Sequence, residues 1–591
     1  MKLIFPVVCI LFLHVAQSEA ADLMLAGGHL PVCTSLSPQQ CTTPAEWNAD
    51  ALTETRFFVD QQGIERWKSA AATRLESRQI DITVSLLQQF QGVVESPVVA
   101  ADFLRLFREQ SLVVGKRRVT GEDALGEMSN RTWVMLRDHF QQPPISADGT
   151  VRREQVRLND SVNEHSIAIF RRFVEIARQK NGGTRPLVAV TTASSRDPYD
   201  ALAFYLQVFE QAGADTVWLP LDAAVRKARS EEDCDNLTRH QANILGSHHR
   251  DRIDPEKYAR QIEFCKDPQA GIRLLEQADG VFLNGGDQWL TFQALLDDDG
   301  SDTPEMAAIR DKIAAGRMIL GGTSAGSAVQ SSRVMVTNGG LNNSLLRGAF
   351  QQSPPPDPGC DIDSSCPDGL QSADLTWHEH GIGTFPEGIV DTHFSERQRQ
   401  FRLIRLLADT DASFAIGVDE TTAALVEFST DIASQTLEVI GAGSAWVIDI
   451  TQASINRIPE FTVTNALLGQ IEAGDTLIFD PSSFSRDWNS APEGYRAKCI
   501  DFDPDGSFHS LVEELADHPA GRCFQFTLGQ AGTASGQIRR KSASDGQPAP
   551  VAVFAMDLAV TPNSVVPPAA PDREQQPDPA KGGADESKQA E

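Results

Sequence analysis

Met318-Ile319-Leu320-Gly321-Gly322-Thr323-Ser324-Ala325-Gly326-Ser327-Ala328-Val329 is an apolar strand that meets a glycine-flanked serine and leaves as a helix of small residues. Gly322 and Gly326 frame Ser324 as a G-x-S-x-G elbow, in which small neighbours permit a sharp strand-to-helix turn that lifts the hydroxyl clear of the backbone. The helix that follows aims its unpaired N–H groups, that of Ala325 among them, at the place where an oxyanion would form. Ser324 is therefore a candidate nucleophile; a structural serine in a Gly/Ala-rich turn is the alternative. The strand before it and two polar clusters elsewhere in the chain favour the nucleophile.

Outward from this stretch the strand-then-helix rhythm recurs. Leu23-Met24-Leu25-Ala26-Gly27-Gly28 is a short apolar strand ending in two glycines. Residues 186–192 and 216–221 read as strands around a helix at 198–213, and a helix at 270–278 precedes the strand 280–283, which runs into Asn284-Gly285-Gly286-Asp287-Gln288. A helix at 304–315 leads into the serine strand. Beyond it come a strand at 388–394, a helix at 395–407 opened by a Ser395 cap, and closing strands at 414–426 and 445–449. The alternation predicts an α/β fold, a mostly parallel sheet with helices on both faces. Residues 22–30 and 185–450 form the catalytic domain in this reading. Helical spacing makes 44–158 a largely helical insertion, 226–257 is a polar surface excursion, 351–374 is a long surface loop, 451–558 is a β-rich extension, and 559–591 is a disordered tail.

The 591 residues, 41% of them hydrophobic, suffice for two or three domains and a large core. Lys2 ahead of the apolar run 3–15, with small residues at Ser18 and Ala20, reads as a secretory signal peptide over 1–20 and predicts a secreted protein, extracellular or periplasmic. A membrane anchor is the other reading of that run, which is too short to span a bilayer. Cys9 leaves with the signal. The remaining cysteines fall in neighbouring pairs, Cys33/Cys41, Cys234/Cys265, Cys360/Cys366 and Cys499/Cys523, each able to close a local loop, while sequence leaves the connectivity open. No C-x-x-C occurs, which argues against a zinc ribbon. The net charge of −29 argues against nucleic acid or an anionic membrane surface as partner; it is compatible with a cationic or zwitterionic substrate, but solubility of a secreted protein is sufficient to explain it. No metal or cofactor is implied. The oligomeric state is open, a homodimer included.

Three clusters stand at predicted strand ends: Asn284 to Gln288, the Ser324 elbow, and Asp391 to Arg402. Strand ends of an open parallel sheet line one crevice, where ligands bind. On a strand, Asp391 and His393 share a face and Thr392 points the other way, so His393 is the candidate general base for Ser324. Arg397, Arg399 and Arg402 follow within one or two turns, and their guanidiniums suit a grip on carboxylates; a solvated helix face is the alternative.

The ordered motifs Gly285-Gly286-Asp287-Gln288, Gly322-Thr323-Ser324-Ala325-Gly326, Asp391-Thr392-His393-Phe394-Ser395 with its arginines, and Gly417-Val418-Asp419-Glu420-Thr421-Thr422-Ala423 resemble cyanophycinase, a relative of the aspartyl dipeptidase peptidase E among the serine peptidases. The resemblance implies a three-layer α/β/α fold similar to class I glutamine amidotransferases. It implies a serine-type exopeptidase acting on cyanophycin, a poly-aspartate with arginine on each β-carboxyl, and releasing β-Asp-Arg dipeptides. Carried over by motif, Ser324 is the nucleophile and His393 the base. Gln288, Asp391, Arg397, Arg399 and Arg402 contact substrate, and the N–H of Ala325 with that of Gly285 or Gly286 forms the oxyanion hole. Thr392 stands where the family has glutamine. The resemblance also implies an acid soon after the serine, yet no Asp or Glu lies between Asp311 and Asp357. Asp357 folding back, a carboxylate placed elsewhere, or a Ser/His dyad are the options. Aspartyl-peptide hydrolysis of the peptidase E type and a catalytically silent binding protein with the same pocket are the other readings of the whole chain.

Overall fold

The computed structural model describes residues 20–562 except 147, 429–434, 458–459, 480–499, 502–521, 528–531 and 541–551. The signal peptide reading, most of the predicted tail and Cys499 lie outside the described residues.

The central sheet has eight strands in the spatial order Thr476–Phe479, Gln435–Gly441, Thr422–Phe428, Leu23–Ala26, Ile319–Thr323, Gly280–Leu283, Leu187–Thr191, Asp215–Trp218. The last five run parallel, and the first three join antiparallel on the other side of Leu23–Ala26. Both faces of the middle strands are covered, which is why Leu23–Ala26 and Gly280–Leu283 are buried and apolar throughout rather than alternating. Leu23, Leu25, Val281, Leu283 and Leu320 face one core, together with Val225, Leu275, Leu290 and Ile309 from helices Ala223–Ser230, Ala270–Gln277, Gln288–Leu295 and Pro304–Ala314. Met24, Ala26, Val188, Val190, Phe282 and Ile319 face the other, against Phe170, Phe173 and Phe209 of helices Glu164–Lys180 and Leu202–Ala212. The result is the three-layer α/β/α arrangement expected from the alternation. Helix Glu164–Lys180 belongs to this body, which therefore begins before residue 185.

A second sheet corrects the reading of the C-terminal half. Ile389–Thr392 and Phe414–Val418 pair parallel with each other and not with the central sheet. The sheet continues antiparallel through Ser444–Asp449, Phe461–Glu472, Ala552–Pro562, Gly532–Arg540 and Arg522–Thr527. The segment after 451 is thus not an appended domain. Its Val463, Leu468 and Met556 share one core with Ile389, Trp446 and Phe401, Ile404 and Leu407 of helix Arg399–Asp409. The opposite face of the sheet puts Val390, Ile416, Val418 and Val447 into the core beneath the central sheet.

Residues 57–140 enclose a core of their own, with Trp67, Phe90, Phe103, Phe107, Trp133 and Phe140 at its centre and helices Gln61–Ala71, Ser77–Gln91, Ala100–Glu109 and Asn130–Phe140 around it. Burying each such ring contributes about 1.5–3 kcal/mol, so this region is stabilised locally. The stretch 226–257 is not a surface excursion: Leu237, His240, Gln241, Leu245 and Arg250 are buried within short helices. The loop 351–374 borders a small three-stranded sheet, Met335–Asn338, Ala349–Gln351 and Leu375–His378, that the sequence reading missed. Cys33–Cys41, Cys234–Cys265 and Cys360–Cys366 form disulfides. Among the described residues, no helix is long and apolar enough to cross a membrane.

Candidate active site

The serine strand ends at Ser324, which heads the short helix Ala325–Ala328 at φ 51°, ψ −116°. A non-glycine residue held at positive φ costs on the order of 1–3 kcal/mol and persists only where its surroundings fix it. Here the Ser324 N–H donates to Ala26 O at 3.0 Å, and Ser327 Oγ donates to Ala26 O and Gly322 O, both at 2.8 Å. The flanking glycines are sterically required. A Cβ on Gly322 would lie 2.1 Å from Gly326 O, and one on Gly326 would lie 2.3 Å from Leu283 O.

His393 follows the strand Ile389–Thr392, also at positive φ, with its N–H on Gly27 O at 2.8 Å. Its Nε2 is 2.8 Å from Ser324 Oγ and its Nδ1 is 2.6 Å from Glu420 Oε1. Since a carboxylate only accepts, Nδ1 carries the proton and Nε2 is left to accept from the serine hydroxyl. Gly28 lies directly against the imidazole: a Cβ there would come within 2.3 Å of His393 Cε1. Burial pushes the His393 pKa down to about 4; the Glu420 bond opposes this, and Arg397 and Arg399 add to it. Burial would raise the Glu420 carboxyl, but the His393 bond and the His29 and Arg397 charges hold it below the usual range. The carboxylate that meets His393 is therefore Glu420, placed elsewhere than soon after the serine. It sits in the turn where the chain leaves Phe414–Val418 in the second sheet and enters Thr422–Phe428 in the central one. Asp357 is engaged elsewhere, with Arg131 at 3.1 Å.

The turn after Gly280–Leu283 packs on the elbow, as the closeness of Leu283 O and Asn284 O to Gly326 shows. Asn284 fixes it, accepting from Ser194 N–H at 3.0 Å and donating to Ser195 Oγ and Gly285 O at 2.8 Å; Asp287 N–H donates to Ser194 O at 2.8 Å. This places Gly285-Gly286 beside the Ala325 helix start. Gln288, half-buried, donates through Nε2 to Val336 O at 2.7 Å.

The arginine cluster is layered. Asp391 is fully buried and grips Arg402 in bidentate fashion, Oδ1 to Nη2 at 2.7 Å and Oδ2 to Nε at 2.9 Å, with Arg399 Nη1 on Oδ1 at 3.3 Å. Burial would raise Asp391, but Arg402 and Arg399 outweigh it and hold the carboxyl below its ordinary range. Asp391 and Arg402, read from sequence as substrate contacts, thus form an ion pair beneath the site, and Thr392 is buried with them. Arg399 is partly exposed and donates to Thr392 O at 2.9 Å, while Arg397 is exposed with its N–H on His393 O at 3.1 Å. Burial, then Arg402 and Arg397, press the Arg399 guanidinium well below its ordinary pKa, so an approaching anion would be favoured there.

No family model matches the chain. A cyanophycinase of Trichormus variabilis is 27% identical over 317 residues, 53% of this chain and 80% of its own length. A cyanophycinase of Geminocystis herdmanii is 29% identical over 285 residues, 48% and 76% of the two chains. Over about half of its length the chain is similar to cyanophycinases. A crystal structure of a peptidase from an acI-B1 Actinobacterium overlaps 53% of this chain and 90% of its own at 17% identity, with a TM-score of 0.29. The similarity to cyanophycinases supports a hydrolase. Glu420 was in view from the start, inside the fourth cyanophycinase-like motif, Gly417 to Ala423; what sequence lacked was the chain crossing that carries it to His393.

Proposed function

We propose that this chain is a secreted serine-type hydrolase that acts as an exopeptidase on cyanophycin and releases β-Asp-Arg dipeptides. The observation that carries the reading is the relay Glu420–His393–Ser324 on a strained elbow. Ser324 Oγ attacks the scissile carbonyl as His393 Nε2 takes its proton, and Glu420 steadies the imidazolium. The oxyanion of the tetrahedral intermediate faces the N–H groups of Ala325 and of Gly285 or Gly286. His393 then returns the proton to the leaving amine, and water repeats the cycle on the acyl-enzyme. Arg397 and Arg399 supply the charge for substrate carboxylates, on the shell that Asp391 and Arg402 hold rigid.

The test is release of β-Asp-Arg from purified insoluble cyanophycin by the wild-type chain and by Ser324→Ala. The expected outcome is release that falls by about 10⁴-fold or more in the variant, whose fold is unchanged by circular dichroism. Equal release by both proteins would exclude Ser324 as nucleophile.

A further inference from the structure

Away from the relay, the structure holds a cavity of about 720 Å³ between the helical insertion and the α/β body. Its walls come from residues 47–57 and 137–157 on one side and from 196–210 and 250–260 on the other. Most charges that line it are satisfied within the protein. Arg153 pairs with Glu256 at 2.9 Å, Arg196 with Asp138 at 2.7 Å, Lys257 with Asp254 at 2.7 Å, and Arg250 with Asp197.

Asp50, Glu210 and Arg260 also line it without an ion pair among the described residues, but two such charges stand close together in sequence. Arg152 has no carboxylate partner among the described residues, and its Nε is buried without a hydrogen bond. Glu154 has no cation; burial lifts its carboxyl to about 7 against the bond from Thr34. They are two residues apart on an extended segment whose Arg153 and Gln155 are tied back to Asp50 and Ser35. Extended geometry therefore sets Arg152 and Glu154 on one face, about 6.6 Å apart along the chain. The cavity thus has, at neighbouring positions, a cation without a carboxylate partner and a carboxyl without a cation, with Trp47, Phe57 and Tyr199 as aromatic walls.

We propose that this cavity is a second binding site, separate from the catalytic crevice, for an arginyl group that keeps a free carboxylate: the carboxylate on Arg152, the guanidinium on Glu154. The inference rests on the cyanophycin reading, since each arginine branch of that polymer carries both charges on one side chain. The volume lies within the range that holds a ligand of this size. The loop that closes the cavity on the body side, through Arg196, Asp197 and Tyr199, is also the loop whose Ser194 braces Asp287 beneath the oxyanion turn. A polymer held in the cavity is held against the loop that also braces the turn before Gln288, and tethering it to the enzyme raises the effective concentration of chain ends at Ser324.

The test uses the full chain with Ser324→Ala, measuring adsorption to purified insoluble cyanophycin with and without Arg152→Gln or Glu154→Gln. The same two substitutions, in the active protein, are assayed on a soluble short β-Asp-Arg oligomer, and circular dichroism and thermal unfolding check the fold. Expected is an adsorption constant lowered by about tenfold for each variant, the loss of one charge-assisted bond, with kcat/KM on the short oligomer changed by less than about threefold. Unchanged adsorption overturns the proposal, and so does a parallel fall in adsorption and short-oligomer hydrolysis, which would mark a distorted seam. If the parent chain cleaves the short oligomer but does not adsorb to polymer, the second site is overturned and the proposed function stands; if it does neither, both fall.

Discussion

Glu420 sets the tautomer of His393, and that single proton decides whether Ser324 has a base. Glu420→Gln keeps the shape but offers an amide that can leave the wrong nitrogen protonated, so kcat on β-Asp-Arg oligomers should fall on the order of 10³–10⁴-fold with KM little changed. Steady-state kinetics on soluble oligomers would show this, and an unchanged kcat would remove Glu420 from the relay. The depressed His393 pKa fixes the sign of the pH response. The neutral imidazole is the active form and persists as pH falls through the ordinary histidine range, so the acid limb of kcat/KM should lie near 4 rather than near 6.5. Ser324 and His393, which the structure brings into contact, could be singled out in the sequence because glycine spacing and strand-end position are local signals. Glu420 could not, because its partner is brought to it only by the tertiary crossing between two sheets.

Helix Arg399–Asp409 depends on the ion pair that its first turn makes with the neighbouring strand. Asp391→Asn would leave Arg402 buried without a full counter-charge, at a cost of about 3–5 kcal/mol. Thermal unfolding should register this as a clear fall in Tm; a Tm matching wild type would show that Gly339 O and water suffice for Arg402. The sequence placed the helix but misread its start. Ser395 does not cap it: the Ser395 N–H donates to Asp419 Oδ1 at 3.0 Å, and the chain turns through Gln398 at φ 51° before the helix begins. Hydrophobic periodicity carries no trace of such a left-handed turn. Nor does it separate Phe414–Val418 from Thr422–Phe428, two apolar strands that differ only in which sheet receives them.

Across the whole molecule, insertion and body meet at a polar seam of histidines. His139 Nδ1 and His249 Nε2 are 2.8 Å apart, with His248 beside them, Arg66, Arg196, Arg250 and Arg252 around them, and Asp60, Asp138 and Asp251 in partial balance. Burial first, then these cations and the other rings, lowers all three histidines, His248 and His249 to about 4. Their folded values lie below the unfolded one, so the stability they contribute is complete above about 6.5 and is lost as pH falls toward 4. Limited proteolysis should therefore cut within residues 44–158 much faster at pH 4.5 than at pH 7; equal rates would show that the seam does not respond to protonation. The strand order has a consequence in time as well. Leu23–Ala26 lies in the sheet between Ile319–Thr323 and Thr422–Phe428. At a synthesis rate of about 5–20 residues per second, its second neighbour is made roughly 20–80 s after it. This apolar strand thus keeps one edge open until that neighbour has been made. The turn bearing Glu420 immediately precedes that second neighbour, so pairing of Leu23–Ala26 on both edges and arrival of the acid that meets His393 are one event.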